Sequence, residues 1–136
     1  MAATLKLEIV TPEAKVFSDE VEMVTLTGIE GDMGIYPDHM PVMTQLVAGE
    51  ITARKNGQNI FLAVGDGFVQ ITGQRVAILT DMAIKADDID EVKAEDARRQ
   101  AELRLAQKLS DAEAATVHAS LAHAATQLKV KRLHRK

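Results

Sequence analysis

The stretch that decides the fold is Phe68-Val-Gln-Ile-Thr-Gly-Gln-Arg-Val-Ala-Ile-Leu-Thr-Asp-Met-Ala-Ile-Lys-Ala-Asp-Asp-Ile-Asp-Glu-Val-Lys-Ala94. Its first half alternates apolar and polar residues and contains Gly73, the last glycine of the sequence, which is typical of β-strands joined by a turn. After Ile84 the apolar period lengthens to about 3.6 residues, and acidic side chains crowd the start of a predicted helix. A β region therefore changes to a helical region within a few residues.

Toward the N-terminus the sequence has the punctuation of a β protein. All eight glycines, all three prolines and all four aromatic rings precede residue 74. Turn residues separate most of seven short runs rich in Val, Ile, Thr and Phe: Leu5 to Val10, Val21 to Thr27, Val42 to Leu46, Ile51 to Lys55, Ile60 to Val64, Phe68 to Thr72 and Val76 to Thr80. Asn56-Gly57 is the clearest hairpin signal, because both residues tolerate positive φ. The pattern predicts an antiparallel sandwich or barrel, and we assign residues 1–85 to an all-β sandwich.

Toward the C-terminus the composition favours helices, with twelve alanines from Lys85 onward. Asp88 and Glu91 have capping-box spacing, and the helix that they begin is predicted to run to about Leu109. Ser110 and Glu113 form a second capping box with almost no loop before it. Residues 86–136 are therefore predicted to form an antiparallel two-helix hairpin. Its second helix carries one apolar stripe: Ala114, Val117, Leu121, Ala124 and Leu128.

Alanine makes this stripe a weak contact. An alanine methyl contributes about 0.8 kcal/mol on burial, compared with roughly 1.5 to 3 kcal/mol for Leu or Val. Isolated helices of about 20 residues are also marginal in water. We therefore predict that the hairpin leaves its docked position at a cost of a few kcal/mol while the sandwich stays folded.

Composition excludes several classes of function. The net charge of −4 is uneven, because residues 1–84 hold five basic and eleven acidic side chains, whereas residues 85–136 hold eleven basic and nine acidic ones. An acidic first part without a basic stripe argues against nucleic-acid binding. The absence of cysteine excludes disulfides and thiolate chemistry and fits a reducing compartment. No run approaches the roughly 20 apolar residues of a membrane span, and the alternating N-terminus reads as a strand, not as an export signal.

The residues that catalysis requires are not assembled in any recognisable motif. Ser110 is explained as a helix cap and lies in no nucleophile turn. His118 and His123 are five positions apart, about 140° around a helix, so they do not share a face as metal ligands would. Gly28-x-x-Gly31-x-x-Gly34 lacks the ending of a phosphate-binding loop. We expect no catalytic residues, no metal and no required cofactor, and hence not an enzyme by itself.

The most unusual segment is Thr27-Gly-Ile-Glu-Gly-Asp-Met-Gly-Ile-Tyr-Pro-Asp-His-Met-Pro-Val-Met43. Three glycines, two prolines and three methionines occur in it, so we expect a backbone outside any regular ladder. One interpretation is a long connection whose Ile35 and Met43 fill the core. The other is a docking surface for a protein, because Met and Tyr on a glycine-shaped loop suit a partner. The residues alone give the two equal weight.

This segment, followed by Gly65-x-Gly67, Asp81 and Ile89-Asp90, closely resembles the epsilon subunit of bacterial F-type ATP synthase. The resemblance covers essentially the whole chain. It implies a non-catalytic central-stalk subunit of the rotor, which couples rotation of the c ring to ATP synthesis. It also implies a mobile helical hairpin that, when extended along the gamma subunit, restrains ATP hydrolysis.

The resemblance assigns contacts to particular residues. It places Glu30, Gly31 and Asp32 at the end of the sandwich that faces the c ring, and His39, Met40 and Met43 near gamma. The basic end of the chain, with Lys129, Lys131 and Arg132 and then Arg135 and Lys136, would contact acidic surfaces of the alpha and beta subunits in the extended state. A solvated basic tail, favoured by the helix dipole, is the competing interpretation.

Some members of the family bind ATP through an Ile-Asp-x-x-Arg-Ala segment. The corresponding residues here are Ile89, Asp90, Lys93 and Ala94, and later arginine positions carry Gln100, His123 and Gln127. Lysine does not reproduce the planar, bidentate fork of arginine. We therefore expect ATP to be at most a weak regulatory ligand, and Asp90 to serve the first turn of the helix.

The expected partners are the gamma subunit, the c ring and the alpha and beta subunits, with no nucleic acid and no direct membrane insertion. The implied location is peripheral, on the cytoplasmic face of the bacterial inner membrane. We expect the isolated chain to be monomeric. The alternative function is a free-standing β-sandwich adaptor whose helical hairpin recruits a different partner.

Overall fold

The computed structural model describes residues 3–134. Ten strands come first: β1 (Leu5–Val10), β2 (Lys15–Val21), β3 (Met23–Gly28), β4 (Gly31–Ile35), β5 (His39–Leu46), β6 (Gly49–Lys55), β7 (Gln58–Val64), β8 (Gly67–Gly73), β9 (Arg75–Thr80) and β10 (Ala83–Lys85). A short 3-10 helix, Ala86–Asp88, leads into two helices, α1 (Glu91–Leu105) and α2 (Asp111–Leu133).

The strands form two layers that meet at one point. The first layer has the order β10-β7-β6-β3, with β4 also paired to β3, and the second has the order β5-β8-β9-β1-β2. The layers connect where Gly28 of β3 pairs with Leu46 of β5. Alternate side chains of both layers point inward and form one apolar core, which includes Leu7, Ile9, Leu26, Ile51 and Ile71. The predicted all-β sandwich followed by a helical hairpin is confirmed.

All seven predicted strands are present, and β1 has the predicted bounds. Three further strands carry weak sequence signals. Strand β2 is a polar strand that β1 pairs on one side, β4 contains two glycines, and β10 has only three residues. The expectation that residues 27–43 avoid a regular ladder is wrong. Their backbone forms β4 and the start of β5, because a tight turn lets β4 fold back on β3 with Gly28 opposite Gly31.

Local geometry explains two features of the sheet. Asn56 and Gly57 have φ values of 52° and 76°, so the predicted primed hairpin turn is confirmed. The strand pairs are antiparallel, as predicted, except that β1 and β9 run parallel. The chain between the end of β1 and the start of β9, residues 11–74, is 64 residues long, and this long crossover permits the parallel arrangement.

The helix boundaries differ from those predicted at α1. Asp88 lies in the 3-10 helix, so its expected capping box with Glu91 is wrong, and Asp90 caps α1 by accepting the amide of Lys93 at 3.1 Å. Helix α1 ends at Leu105 rather than Leu109 because its last turn tightens, with the amide of Gln107 donating to the carbonyl of Arg104 at 3.0 Å. The capping box of Ser110 and Glu113 at the start of α2 is confirmed.

The hairpin packs on the sandwich through α2, which contacts β7 and β6, while α1 packs on α2. The predicted apolar stripe of α2 is buried or half-buried along its whole length. Four buried residues, Ala63, Ala86, Ile89 and Val130, with the half-buried Phe61 and Ile84, form the contact between hairpin and sandwich, which we call the docking cluster. The sandwich core joins seventeen buried residues among those described. The docking cluster is therefore the smaller of the two apolar contacts.

Candidate functional site

The turn between β3 and β4 projects from one end of the sandwich and carries the residues expected to face the c ring. Glu30, Gly31 and Asp32 are all exposed there, and Gly31 has φ of 124°, a conformation that a side chain would strain. Asp32 accepts a hydrogen bond from the Thr27 hydroxyl at 2.8 Å. The structure therefore brings the three predicted residues together on one β-hairpin, and we call residues 29–32 the tip.

The neighbouring connection supports the tip. The amide of Ile29 donates to the carbonyl of Gln45, and the amide of Val47 donates to that of Thr27, each at 2.9 Å. Ile29 itself is 61% exposed. Ile29 is not among the residues predicted from the sequence, although an apolar residue in a turn between Gly28 and Gly31 is a signal that indicates it. The tip thus offers an apolar side chain beside two carboxylates.

The residues expected near gamma lie along β5. His39 begins the strand, and its Nδ1 lies 2.7 Å from the carbonyl oxygen of Met40. Met40 and Met43 are 77% and 70% exposed, whereas Ile35 is fully buried. The core-filling interpretation therefore holds for Ile35 and is wrong for Met43, which points outward in phase with the polar Gln45.

Two residues that the sequence analysis missed extend this surface. Phe68 of β8 and Leu79 of β9 are paired across the sheet, and each is more than half exposed. Met43 pairs with Gln70, which shares the outward side of β8 with Phe68. Met43, Phe68 and Leu79 consequently lie on one outer side of the second layer, which we call the apolar face. The sequence contains a signal for Phe68, because it alternates in phase with the polar Gln70 and Thr72 and is therefore expected on the solvent-facing side of the strand.

Charged side chains border the apolar face. Glu8 lies opposite Ala77 of β9 and forms ion pairs with Lys15 and Arg75. The hydrogen bond from Lys15 and the charge of Arg75 outweigh burial and hold the pKa of Glu8 below its usual value. An apolar centre with a paired, charged rim is the usual anatomy of a protein-binding surface.

The residues of the expected ATP segment are divided among different roles. Ile89 is buried in the docking cluster and Asp90 caps α1. Lys93 and Ala94 line a shallow depression between the helices, together with Ala97, Ser120, His123, Ala124 and Gln127. The structure thus brings the Lys93 region close to His123 and Gln127.

The basic end of α2 is engaged inside the chain. Arg132 forms ion pairs with Glu91 at 2.9 Å and Glu95 at 3.0 Å, and Lys131 donates to the carbonyl of Ala86 at 3.1 Å. The hydrogen bond to Glu91 outweighs burial and raises the pKa of Arg132, with Glu95 adding to the effect. Lys129 is exposed beside Glu50 in a groove between α2 and the sandwich. Arg135 and Lys136 lie outside the described residues.

His123 of α2 and His134, which caps the end of α2, face carboxylates of the sandwich. Nε2 of His123 lies 3.1 Å from Oδ2 of Asp81, and Nε2 of His134 lies 2.7 Å from Oε1 of Glu50. The His134 ring also stacks on Phe61, with centroids 3.5 Å apart. His118 is exposed. These pairs were not predicted from the sequence, because their members are 42 and 84 positions apart.

Two kinds of feature are absent from residues 3–134. These residues contain no group of three or more side chains suited to holding a metal ion. Neither helix in this range has the length and apolar character that a membrane span requires.

Family models match nearly the whole chain. The β-sandwich domain of the ATP synthase delta/epsilon chain matches residues 4–86, and the long alpha-helix domain of the same chain matches residues 87–132. A relative named ATP synthase epsilon chain, from Dehalococcoides mccartyi strain BAV1, is 44% identical over 135 residues, which covers 98% of this chain and 96% of the relative. The relative of the same name from Herpetosiphon aurantiacus is 42% identical and covers 96% of each chain.

Solved structures share the fold at lower identity. A chain of the Euglena gracilis mitochondrial ATP synthase matches with a TM-score of 0.72 and 21% identity, covering 97% of this chain and 82% of that one. A chain of the Tetrahymena thermophila mitochondrial enzyme, from its central stalk and c ring, matches with a TM-score of 0.62 and 12% identity, covering 95% and 97%.

The sequence relatives decide between the two functions that the residues left open. Their similarity extends over both the sandwich and the hairpin, which is not expected of a free-standing adaptor. The chain belongs to the ATP synthase epsilon-chain family and is a non-catalytic subunit of that enzyme.

Proposed function

We propose that the sandwich is a rotor element of the central stalk that couples rotation of the c ring to ATP synthesis. The observation that carries this proposal is the apolar face of Met43, Phe68 and Leu79, because large side chains in the middle of an ordered strand face are costly to leave in water. The gamma subunit is the partner that we assign to this face, with Met40 and His39 at its margin.

The tip is the proposed contact with the c ring. Glu30 and Asp32 supply carboxylates for the polar loops of the ring, and Gly31 keeps the turn narrow. The tip is at one end of β5 and His39 is at the other, so the two contacts use different parts of the sandwich. One rigid body with two separate contacts suits the transmission of torque.

The hairpin is the proposed regulatory part, and the sandwich of residues 1–85 and the hairpin of residues 86–136 act as separate domains. In its docked position the hairpin covers β7 and β6 and leaves the apolar face uncovered. Its release, with extension along gamma, is the proposed restraint on ATP hydrolysis. The small docking cluster supports a low cost of release.

The basic end links release to inhibition. Lys131 and Arg132 are occupied by Ala86, Glu91 and Glu95 in the docked hairpin. Any rearrangement that separates the ends of α1 and α2 frees these cations, with Lys129, for acidic surfaces of the alpha and beta subunits. The docked contacts and the inhibitory contacts are then mutually exclusive uses of the same side chains.

ATP is proposed only as a weak regulatory ligand of the hairpin. Lys93 is a cation that lines the depression between the helices. His123 also lines this depression, but its Nε2 contacts Asp81. The proposed location of the subunit is the cytoplasmic face of the bacterial inner membrane, where it is held peripherally by gamma and the c ring.

Charge introduced into the apolar face tests the central part of this proposal. Met43→Asp in a tagged chain should lower the recovery of gamma, alpha and beta subunits at least tenfold in co-purification from its own cells. Gln58→Asp, which adds the same charge at an exposed position of β7 in the other layer, is the control and should retain them. Equal recovery with Met43→Asp and the control would contradict the gamma contact.

The regulatory part requires a separate measurement. The ATPase rate of the assembled enzyme should rise several-fold when residues 88–136 are deleted. An unchanged rate in an intact complex would remove the hairpin from regulation and leave the gamma contact standing.

A further inference from the structure

The two histidine contacts lie at separate positions along the docked helix. His123 reaches Asp81, between β9 and β10, and His134 reaches Glu50 on β6. Val130, which is buried in the docking cluster, lies between them on α2. Both contacts join the hairpin to the sandwich, so both are lost when the hairpin leaves.

The surroundings of His123 fit an ion pair. A Cβ at Gly65 would overlap the carboxylate of Asp81 and approach Nε2 of His123, so glycine at this position makes room for the pair. The nearby carboxylate of Asp66 is directed away and accepts the amide of Ala48 at 2.9 Å. Lys93 of α1 lines the same depression between the helices as His123, and its positive charge opposes a positive charge on the imidazole. Because Asp81 is in direct contact with His123, its negative charge acts on the imidazole more strongly than the positive charge of Lys93 does.

The surroundings of His134 are more enclosed. The side chains of His134 and Glu50 are only 25% and 24% exposed, and Phe61 covers one side of the imidazole with an interplanar angle of 10°. Lys85 and Asp87, which have opposite charges, line a second depression beside His134. Lys129 lies beside Glu50 in the groove between α2 and the sandwich, and its exposed charge opposes a positive imidazole. Lys131, on the preceding turn of α2, is held by the carbonyl of Ala86. Glu50 is the charged group in direct contact with the imidazole.

We propose that His123 and His134 form a pH-dependent clasp that holds the hairpin on the sandwich more strongly as the pH falls from 8 to 5.5. A neutral imidazole makes one hydrogen bond to its carboxylate, whereas a protonated imidazole also makes an ion pair. In the detached hairpin each imidazole and each carboxylate is separately solvated. Protonation therefore favours the docked state, and histidine is the side chain that changes charge in this range.

The expected size follows from partly exposed ion pairs. Each such pair changes an equilibrium by about 1.5-fold to 5-fold, so two pairs change the ratio of docked to detached hairpin by roughly 2-fold to 25-fold. The consequence for the enzyme rests on the proposed regulatory function: if detachment restrains hydrolysis, acidification of the cytoplasm relieves that restraint. The clasp itself is a property of the isolated chain.

Methyl NMR on the isolated full-length chain measures the clasp. The methyl signals of Val130 report the docking cluster, and those of Ile71 report the sandwich core. Urea titrations at pH 8 and pH 5.5 give the urea midpoint at which each signal is lost. The variants are His123→Gln with His134→Gln, and separately Asp81→Asn with Glu50→Gln. The control is His118→Gln, which changes an exposed histidine of the same helix.

In the wild-type chain and the control, the Val130 midpoint should be higher at pH 5.5 than at pH 8. Both double variants should lose most of this difference. The proposal is overturned if the wild-type chain shows no difference, or if both double variants retain it.

The same titration separates this proposal from the mobile hairpin. If Val130 and Ile71 signals disappear together, the hairpin does not detach independently and the proposed regulatory motion fails. The clasp must still raise that common midpoint at pH 5.5 in the wild-type chain and not in the double variants.

Discussion

Arg132 reaches back from the last turn of α2 to Glu91 in the first turn of α1, with Nε 2.9 Å from Oε1. The same guanidinium contacts Glu95 one turn later at 3.0 Å. Two carboxylates on α1 therefore hold the C-terminal end of α2. These ion pairs join the two helices at the end of the hairpin opposite its connecting loop, whereas much of the apolar contact between the helices is made by alanine. Arg98 adds a further ion pair to Glu95 within α1.

Removal of this guanidinium should loosen the hairpin. Arg132→Gln loses two partly exposed ion pairs, so amides of the last turns of α2 should exchange with solvent several-fold faster. Arg99→Gln, which removes an exposed arginine paired only loosely with Asp96 at 3.7 Å, is the matched control. Unchanged exchange in Arg132→Gln would show that the ion pairs do not hold the end of α2.

Acid should weaken the hairpin through Glu95. Burial opposes the ionisation of Glu95, but hydrogen bonds and charges from Arg98 and Arg132 outweigh it and hold the pKa below the ordinary value of 4.5. A lowered folded-state pKa stabilises the fold above the unfolded value, and this stability is lost as pH falls through the folded value. Helical circular dichroism should therefore decline below about pH 4.5, and Glu95→Gln should already be weakened at pH 6 and decline less. A full decline in Glu95→Gln would point to another carboxylate.

A methyl group at Gly65 should disturb the contact between α2 and the sandwich. It would overlap the Asp81 carboxylate and crowd the ring of His123. Gly65→Ala should therefore lower the thermal midpoint by several degrees and increase exchange in the middle of α2. Gly49→Ala has open space around the added methyl and should change little. Equal effects of the two substitutions would mean that the Asp81 pair contributes nothing to docking.

Val130 should set the cost of detachment. Val130→Ala removes roughly 1 to 2 kcal/mol of buried apolar contact from the docking cluster, so the detached population should rise about tenfold. Leu133→Ala, at a position that is mostly exposed on the same helix, is the control. Methyl NMR should show detachment in Val130→Ala with an unchanged sandwich core. A uniform loss of all core signals would instead show that docking and folding are inseparable.

ATP should bind weakly. The residues that line the depression beside Lys93 include no arginine, so no guanidinium group is placed there to bind a phosphate through two hydrogen bonds. Calorimetric titration of the isolated chain should detect no binding in the micromolar range. Micromolar affinity would contradict this prediction, because Lys93, His123 and Gln127 would then hold the phosphates without an arginine.

The sequence predicted most of the sandwich because its strands obey simple rules. Alternation assigned inward residues such as Val69 and Ile71, and Asn56-Gly57 fixed a turn. Strand β4 was missed because two of its five residues are glycine, whose weak strand preference is overridden by pairing with β3. The end of α1 was misplaced because no glycine or proline marks it.

The candidate site was predictable only in part. A specific motif in residues 27–41 indicated the tip and the start of β5, but Phe68 and Leu79 were treated as ordinary strand residues. The outward direction of Phe68 was readable from the phase of Gln70 and Thr72, whereas Leu79 ends the continuous apolar run Val76 to Leu79, which carries no such signal. The partners of His123 and His134 were not readable, because contacts between hairpin and sandwich depend on how α2 crosses β7 and β6. No local pattern encodes that crossing.

The most direct test of the central claim is amide hydrogen exchange of the isolated chain, followed residue by residue. If the hairpin detaches from a sandwich that stays folded, amides of α2 around Val130 should exchange with an opening free energy several kcal/mol below that of β8 and β9. Equal protection of α2 and these strands would contradict the account, because the hairpin would then open only when the whole chain unfolds.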